Sequence, residues 1–562
     1  MCQSAPLTRV APLSSLRAKK LGRYYTPPSL ARPLVEWAIR DEKTRFLDPS
    51  FGGCSFLVAA AERLRGLGAK VPGRRVYGVD IDKRARDYLT PLYQAGALGS
   101  NFLTTDFLAL EPGEIPGGPF DTVCGNPPYV RHDLIADRKL ETAIDATCGA
   151  NVTVPRNASY WAYFLIHSIR CLKFGGRMAM ILPTSFLYAD YANTIWSHIA
   201  ANFQSIVVAA LQERVFYDSE ESPVILFADG FGGCSRVAHT AIVERVSELH
   251  RLLRRENVGG STRVNRLQDE KPWNYGVIKK RAARIYGQIK SSDASSCLGD
   301  WANVKIGVVT GCNQFFALSE SERRKRQLPS VLLSPALIRG ADVNGLTFAR
   351  KDYQSIRKKG RPCYLLAIDS KTTPSKSVAA CIRLGVRQHI DRRFKCRIRD
   401  PWYSLADLSS CDAFINYMSS SFPHVILNEA DVTCTNSIHR VDFNRSVDDE
   451  IARAIAVASV SSVTQLSIEM VGRSYGGGVL KLEPSEAKAM LLVLPSSSNT
   501  LSKAFHRVNR ELRRGNKTAA MASADKVLLK EGDLPLDREK VRILREAWAA
   551  LVRLRLNRRC AG

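Results

Sequence analysis

Val76-Tyr77-Gly78-Val79-Asp80 is a short apolar run that closes on a carboxylate, and three runs of the same kind accompany it. They are Phe46-Leu47-Asp48, Phe120-Asp121-Thr122-Val123-Cys124 and Arg177-Met178-Ala179-Met180-Ile181-Leu182, each with a polar, glycine or proline signal at its C-terminal end. Short apolar runs bounded in this way read as buried strands. Between them, Ser55 to Leu67, Arg84 to Ala95 and Ala162 to Leu172 carry helix-like patterns. Strand, helix, strand at this spacing predicts an α/β fold with a doubly wound, mostly parallel sheet over residues 1–235. Ligands of such sheets bind outside the carboxyl ends of the strands, so the residues that follow each run are the first candidates for function.

From about residue 236 the pattern changes. Ser247 to Val258 and Trp273 to Ile289 look helical and arginine-rich, which marks 236–300 as a basic helical connector. Residues 301–562 hold shorter strand-like pieces separated by Gly, Pro, Ser and Asn, as expected of a mixed α+β domain. Basic clusters recur there, at Arg323-Arg324-Lys325-Arg326, Arg357-Lys358-Lys359 and Arg392-Arg393-Phe394-Lys395-Cys396-Arg397. Each alone is more often a solvated face than a phosphate contact. With Tyr353, Trp402 and Tyr403 nearby, they suit a DNA-facing surface.

Composition agrees. The 562 residues include 81 Lys and Arg against 54 Asp and Glu, a formal charge of +27, and such an excess favours a polyanionic partner through counterion release. Nucleic acid fits better than a membrane, because no lysine-rich helix carries an aromatic face and no stretch approaches the roughly 18 apolar residues that span a bilayer. Met1 to Lys20 lacks a continuous apolar segment, so a soluble, cytoplasmic protein is expected. Fourteen cysteines are scattered, with no CxxC pair and no Cys/His cluster; they read as free thiols, and no metal site is expected.

Asn126-Pro127-Pro128-Tyr129 follows the strand Phe120 to Cys124 directly. A conjugated exocyclic amine is a poor nucleophile, and two acceptors on its hydrogens favour pyramidal geometry and aim its lone pair. The Asn126 side-chain oxygen and the Pro127 carbonyl are suitable acceptors. Two prolines stiffen the loop and remove competing backbone donors. Tyr129 offers a flat face for a base that has left its stack. A plain strand-terminal turn would use the same residues.

These residues resemble the gamma class of amino-directed DNA methyltransferases, the modification enzymes of restriction systems, in motif order over the first 230 or so residues. Gly22-Arg23-Tyr24-Tyr25-Thr26-Pro27-Pro28 is similar to the family's N-terminal motif, whose threonine helps hold the methionine end of S-adenosyl-L-methionine; the resemblance gives that role to Thr26. Leu47-Asp48-Pro49-Ser50-Phe51-Gly52-Gly53-Cys54-Ser55-Phe56-Leu57 resembles the glycine-rich first turn, which implies cofactor contacts for Asp48 and Gly52, although the family often has glycine where Cys54 stands. The resemblance further assigns the ribose hydroxyls to Asp80, with Asp82 capping the next helix, and the cofactor adenine to Asp106 and Phe107. It implies direct methyl displacement with catalysis by Asn126, Pro127 and Tyr129 and no nucleophilic cysteine, Cys124 being strand core. Tyr129 and Phe216 are the implied stacking partners of the flipped base. Ser159 to Phe164 and Phe174 to Thr184 match later motifs of mainly architectural character. Segments Gly307 to Phe316, Thr435 to His439 and Gly472 to Gly478 are loosely similar to the specificity domain, the reading given to 301–562.

The resemblance therefore implies N6-adenine methylation in double-stranded DNA, with a separate cognate restriction endonuclease as a further partner. Methylation of a release-factor glutamine would use the same four-residue motif but leaves the basic C-terminal half unexplained. RNA adenine, the cytosine amine and a catalytically silent DNA-binding subunit remain alternatives. Asp537-Arg538-Glu539-Lys540 is the best nuclease-like run and reads as a charged helix surface.

Overall fold

The computed structural model describes residues 26–556 except 131–133, 151, 188, 190, 212–214, 216–222, 236–237, 244, 254–261, 265–277, 279, 369–374, 420–421, 476–477, 495–500, 531–533 and 535. The chain divides into two compact units at Lys280/Arg281.

The first unit is built on one nine-stranded sheet. In chain order its strands are β1 (Phe46–Asp48), β2 (Val76–Asp80), β3 (Phe102–Thr104), β4 (Phe120–Gly125), β5 (Leu172–Pro183), β6 (Phe203–Leu211), β7 (Pro223–Phe231), β8 (Ala238–Val243) and β9 (Thr262–Val264). Their spatial order is β3-β2-β1-β4-β5-β7-β6-β8-β9. The first five are parallel; β7 then enters antiparallel between β5 and β6. The four runs read from sequence are β1, β2, β4 and the core of β5. Starting at β1 the chain winds outward to β3 and then returns to the other side of β1 as β4. That reversal opens a crevice at the carboxyl ends of β1 and β4, the usual ligand position of a doubly wound sheet.

Both faces are covered, which explains the continuous apolar runs. Side chains alternate across the pleat. Leu47 and Val123 join one core with Trp161 and Phe164, while Phe46 and Cys124 join the other with Leu34 and Leu57. Helices α1 (Pro28–Ala38) and α2 (Ser55–Gly66) pack on the second face, and α3 (Tyr160–Arg170) on the first. Pro28 sits in the first turn of α1, where the missing N–H costs nothing. Arg177 of β5 ties this layer together: its guanidinium makes two 2.8 Å bonds to Asp229 and one of 2.6 Å to the Trp37 carbonyl, and lies over the Trp37 ring. Residues 84–95 form a 3-10 turn and one short helix, Thr90–Gln94, rather than a single helix.

The expected boundary at 235 lies inside this unit, because β8 and β9 extend the sheet beyond it. Residues 236–300 are accordingly no separate connector. They contain three strands, the third at Ser295–Cys297, and the helices Leu249–Leu253 and Lys280–Lys290, and the unit boundary falls among them. A β-strand whose pairing partner lies beyond an intervening strand has no local signature, so arginine content dominated the reading.

The second unit is mixed α+β, as expected. One sheet orders the strands 302–306, 438–443, 413–416, 426–429 and 347–349; another orders 317–318, 364–366, 333–337 and 433–434. Its core includes the consecutive helices Asp449–Ala458 and Ser462–Val471, where Ile455, Val457, Val463 and Leu466 are fully buried. This bent pair is apolar enough to pass a hydropathy test jointly, and among the described residues no single helix is long and apolar enough to cross a membrane.

Candidate active site

Four strand ends converge on the crevice. β1 ends in Asp48, which is almost wholly buried, with one carboxylate oxygen taking the Ser50 amide at 3.0 Å. Burial pushes its pKa up to about 8, against the lowering effect of the Ser50 bond and with a smaller push from the neighbouring Asp80 charge. Asp48 is therefore held mainly as the neutral acid at pH 7. Gly125, the last residue of β4, lies against it: a Cβ there would sit 3.0 Å from Asp48 Oδ1 and 3.1 Å from Pro49 Cδ.

The turn after β1 runs through Gly52 at φ +46° and Cys54 at φ +64° into the N-terminus of α2. A left-handed backbone costs a side-chain-bearing residue roughly 1–2 kcal/mol, which explains why the resembled family favours glycine here. Cys54 occupies the position fully buried, its thiol pushed up by burial and by Asp48 and Asp80.

β2 ends in Asp80. Its two oxygens accept from the Gly52 amide at 2.8 Å and the Asp82 amide at 2.7 Å. These two amides orient the carboxylate. Asp82 caps the following turn through the Arg84 amide, as its sequence position suggested. After β3, Asp106 Oδ1 takes the Leu108 amide at 3.1 Å while Oδ2 takes the Tyr160 hydroxyl at 3.4 Å. Phe107 is placed differently. Its side chain is buried against Phe164 and His167, so it contributes wall packing and leaves no open stacking face.

The loop after β4 is held from three sides. The Asn126 Nδ2 group donates to Thr26 Oγ1 at 3.3 Å, Ser50 Oγ donates to the Asn126 carbonyl at 3.1 Å, and the Tyr129 hydroxyl donates to the Ile181 carbonyl at 3.1 Å. Thr26, Asp48, Gly52, Asp80 and Asn126 are thus linked through direct contacts or through Ser50. Cys124 is fully buried in strand core. The Gly22–Tyr25 part of the N-terminal motif and Phe216 lie outside the described residues. Sequence reasoning missed Ser50 and Tyr160 as supporting groups; Ser50 sits in the turn it had marked, and Tyr160 opens the helix it had assigned to architecture.

In the second unit, Gly307 and Gly311 serve internal packing: a side chain on the first would strike the Thr435 carbonyl, and on the second would meet Cys396 Sγ. Trp402 packs on Phe315 and Phe316, and Tyr353 donates to the Cys363 carbonyl at 3.0 Å. These aromatics therefore belong to interior packing and do not form the DNA-facing surface read from their proximity in sequence. Asp537 takes the Lys540 amide at the start of helix Arg538–Leu556, and Glu539 pairs with Arg281, as a charged helix surface would. Among the described residues no group of three or more His, Cys, Asp or Glu is placed to hold a metal ion.

A parallel sheet carrying carboxylates at the ends of β1 and β2 and an Asn-Pro-Pro-Tyr loop after β4 defines an amine-directed methyltransferase site, and the comparisons agree. Residues 10–229 match the N-6 DNA Methylase family, and residues 270–529 match the C-terminal domain of the Type II methyltransferase M.Eco57I. The two matches together take in most of the chain, and with the relatives below they make it an adenine-specific DNA methyltransferase of restriction–modification type. It is 23% identical to Type II methyltransferase M.AccI of Acinetobacter calcoaceticus, over 85% of this chain and 86% of that protein. It is 22% identical to M.XamI of Xanthomonas campestris pv. amaranthicola, over 86% of each. Among solved structures, the Type IIL restriction-modification enzyme MmeI in complex with DNA shares the fold with a TM-score of 0.56 at 12% identity, covering 94% of this chain and 75% of that one. A nuclease-deletion mutant of the Type ISP enzyme LlaGI gives 0.53 at 11% identity, covering 87% of this chain and 54% of that one.

Proposed function

We propose that the chain transfers a methyl group from S-adenosyl-L-methionine to the N6 amine of an adenine flipped out of double-stranded DNA. The observation that carries this reading is the hydrogen-bonded contact of Asn126 with Thr26, together with the buried carboxyl at the end of β1 and the half-buried one at the end of β2. The donor set fits the proposed cofactor. Asp80, oriented by two amides, suits ribose hydroxyls; the uncapped N-terminus of α2 suits a carboxylate; Asp48 suits a cationic centre, which would favour its ionised form. Thr26, Gly52, Asp106 and Phe107 complete the set assigned to the cofactor, Phe107 as wall rather than stacking surface. When bound, the sulfonium cofactor supplies an electrophilic methyl group.

The chain's own part is to bind, orient and accept. Asn126 Oδ1 and the Pro127 carbonyl take the two hydrogens of the target amine and direct its lone pair. Neither acceptor carries charge, so no counterion is needed beside the base. Tyr129, its hydroxyl tied to β5, presents a ring fixed in position, and Phe216 is assigned the second aromatic contact by its place in the sequence.

A formal charge of +27 supports duplex DNA as the partner. Twelve described cysteines are free, which supports a cytoplasmic setting. The engagement of Asp537 and Glu539 in surface contacts supports modification without cleavage, leaving restriction to a separate endonuclease acting on the same site. Incubation with methyl-labelled S-adenosyl-L-methionine and duplex DNA, RNA or no nucleic acid tests the reading. Label recovered as N6-methyladenine from duplex is the expected result; label confined to RNA or to protein overturns it.

A further inference from the structure

The structure sorts the three basic clusters of the second unit into two kinds. Glu320 accepts from Arg323 at 2.7 Å, Arg324 at 3.1 Å, Arg357 at 3.2 Å and the Tyr364 hydroxyl at 3.0 Å. These bonds, led by that from Arg323, hold its carboxyl down at about 2. Arg326 turns inward, onto the Phe315 carbonyl and ring. Of the seven cations in the first two clusters, three therefore share the one charge of Glu320 and a fourth, Arg326, is turned inward.

The third cluster is different. Arg392, Arg393, Lys395 and Arg397 are all exposed, and among the described residues none of the four is paired with a carboxylate. Set among them are two bare apolar side chains, Phe394 at 60% exposure and Ile398 at 61%. Lys395 Nζ and Arg397 Cζ lie over the Phe394 ring, 5.4 and 5.7 Å from its centroid, which braces the ring in the open. The base of the segment is anchored. Cys396 is fully buried with Sγ toward the Thr310 carbonyl, and Arg399 donates to the same carbonyl at 2.6 Å while lying over Phe316. Thr310 and Gly311, from the segment resembling the start of a specificity domain, thus form the seat on which the exposed side chains stand.

Cations with no carboxylate partner among the described residues, set beside an exposed phenylalanine and isoleucine, match a partner that is anionic outside and apolar within reach. We propose that Arg392–Ile398 is a contact surface for duplex DNA, in which Arg392, Arg393, Lys395 and Arg397 meet phosphates and Phe394 with Ile398 press against bases in a groove. This rests on the reading of duplex DNA as substrate. An anionic lipid surface shares part of the chemistry, but the helix here, Phe394–Arg397, is a single turn and presents two apolar side chains, far short of an interfacial helix.

The test is binding of the full chain to a methylatable duplex across a salt series. The triple variant Arg392→Gln, Arg393→Gln, Arg397→Gln is expected to flatten the salt dependence by about one unit of slope per arginine and to weaken binding roughly 100-fold at low salt. Phe394→Ala is expected to weaken binding about tenfold with the slope unchanged. Arg323→Gln with Arg324→Gln, whose guanidiniums are already engaged by Glu320, should change both quantities less. An unaltered slope in the triple variant overturns the proposal, as does equal flattening in the control pair. Tighter binding to phosphatidylserine vesicles than to duplex, lost in Phe394→Ala, also overturns it. Methyl transfer by the unaltered chain is the separating readout. Normal transfer beside an unaffected triple variant removes only this surface, whereas no transfer to duplex removes the reading beneath it.

Discussion

The two sides of the crevice are made of opposite materials. On one side, the ends of β1 and β2 supply carboxylates: Asp48, buried and raised, and Asp80, held by two amides. On the other, the loop after β4 supplies a carboxamide, two prolines and a tyrosine, all neutral and each of its anchors a hydrogen bond to uncharged oxygen. The charged side is suited to grip a cationic ligand and the neutral side to accept from a weakly basic amine without introducing a competing charge. Binding and chemistry should therefore be separable by mutation.

The sharpest break would come at Asn126. Replacing it with alanine should lower methyl transfer about 10²–10⁴-fold, the range for a positioned hydrogen-bonding group in a transition state, while cofactor affinity measured by calorimetry stays close to that of the unaltered chain. Parallel loss of both would show that the two sides act as one structural piece. Asp80→Ala should do the reverse: cofactor affinity falls about 10–100-fold, as for loss of hydrogen bonds to a charged group, and saturating cofactor restores much of the rate.

A smaller effect concerns the proton on Asp48. An acid that keeps its proton to about pH 8 when folded, against 3.8 as its ordinary value, takes up a proton on folding. Its contribution is fully favourable below the ordinary value and is lost progressively as pH rises toward 8. Relative to Asp48→Asn, the unliganded chain should melt at steadily lower temperature between pH 5 and 8. Cofactor binding near pH 6.5 should release close to one proton, detected as a buffer-dependent binding enthalpy, and the release should vanish above pH 9. Equal enthalpies in phosphate and Tris at pH 6.5 would mean that Asp48 does not meet the cationic part of the ligand.

The smallest effect tests the turn that joins the two carboxylates. At φ +64° the usual preference for alanine over glycine is inverted, so Cys54→Gly should be more stable than Cys54→Ala by about 1 kcal/mol. Thermal melts of the two variants read this directly; alanine proving the better residue would place the turn in another conformation.

Much of this site was legible because it is local. A strand run followed by Asn126-Pro127-Pro128-Tyr129, or ending on Asp48 or Asp80, places its last residues at a strand end by chain connectivity alone. What depended on distant neighbours was not legible. Phe107 stands beside Asp106 in sequence, yet whether its ring faces a crevice or Phe164 and His167 is decided by a helix more than fifty residues away. The boundary at 235 failed for the same reason, since β8 pairs with β6 across a second strand and loop. The basic clusters look alike on paper, and only the position of Glu320 beside Arg323, Arg324 and Arg357 separates arginines engaged by a carboxylate from those that are not. Trp402 and Tyr353 went the wrong way because adjacency to arginine says nothing about which way a ring turns.

The contact between Thr26 and Asn126 spans one hundred positions of chain and joins a hydroxyl to a carboxamide. The two ends of a carboxamide are almost identical in shape and opposite in polarity, so a pocket that fits one way round fits the other equally well. A hydroxyl both donates and accepts, so by itself it can pair with either end; here it accepts from the nitrogen end, and the oxygen end lies opposite. The opening segment of the chain, far from the loop in sequence, is thereby one of the contacts that meet the working amide.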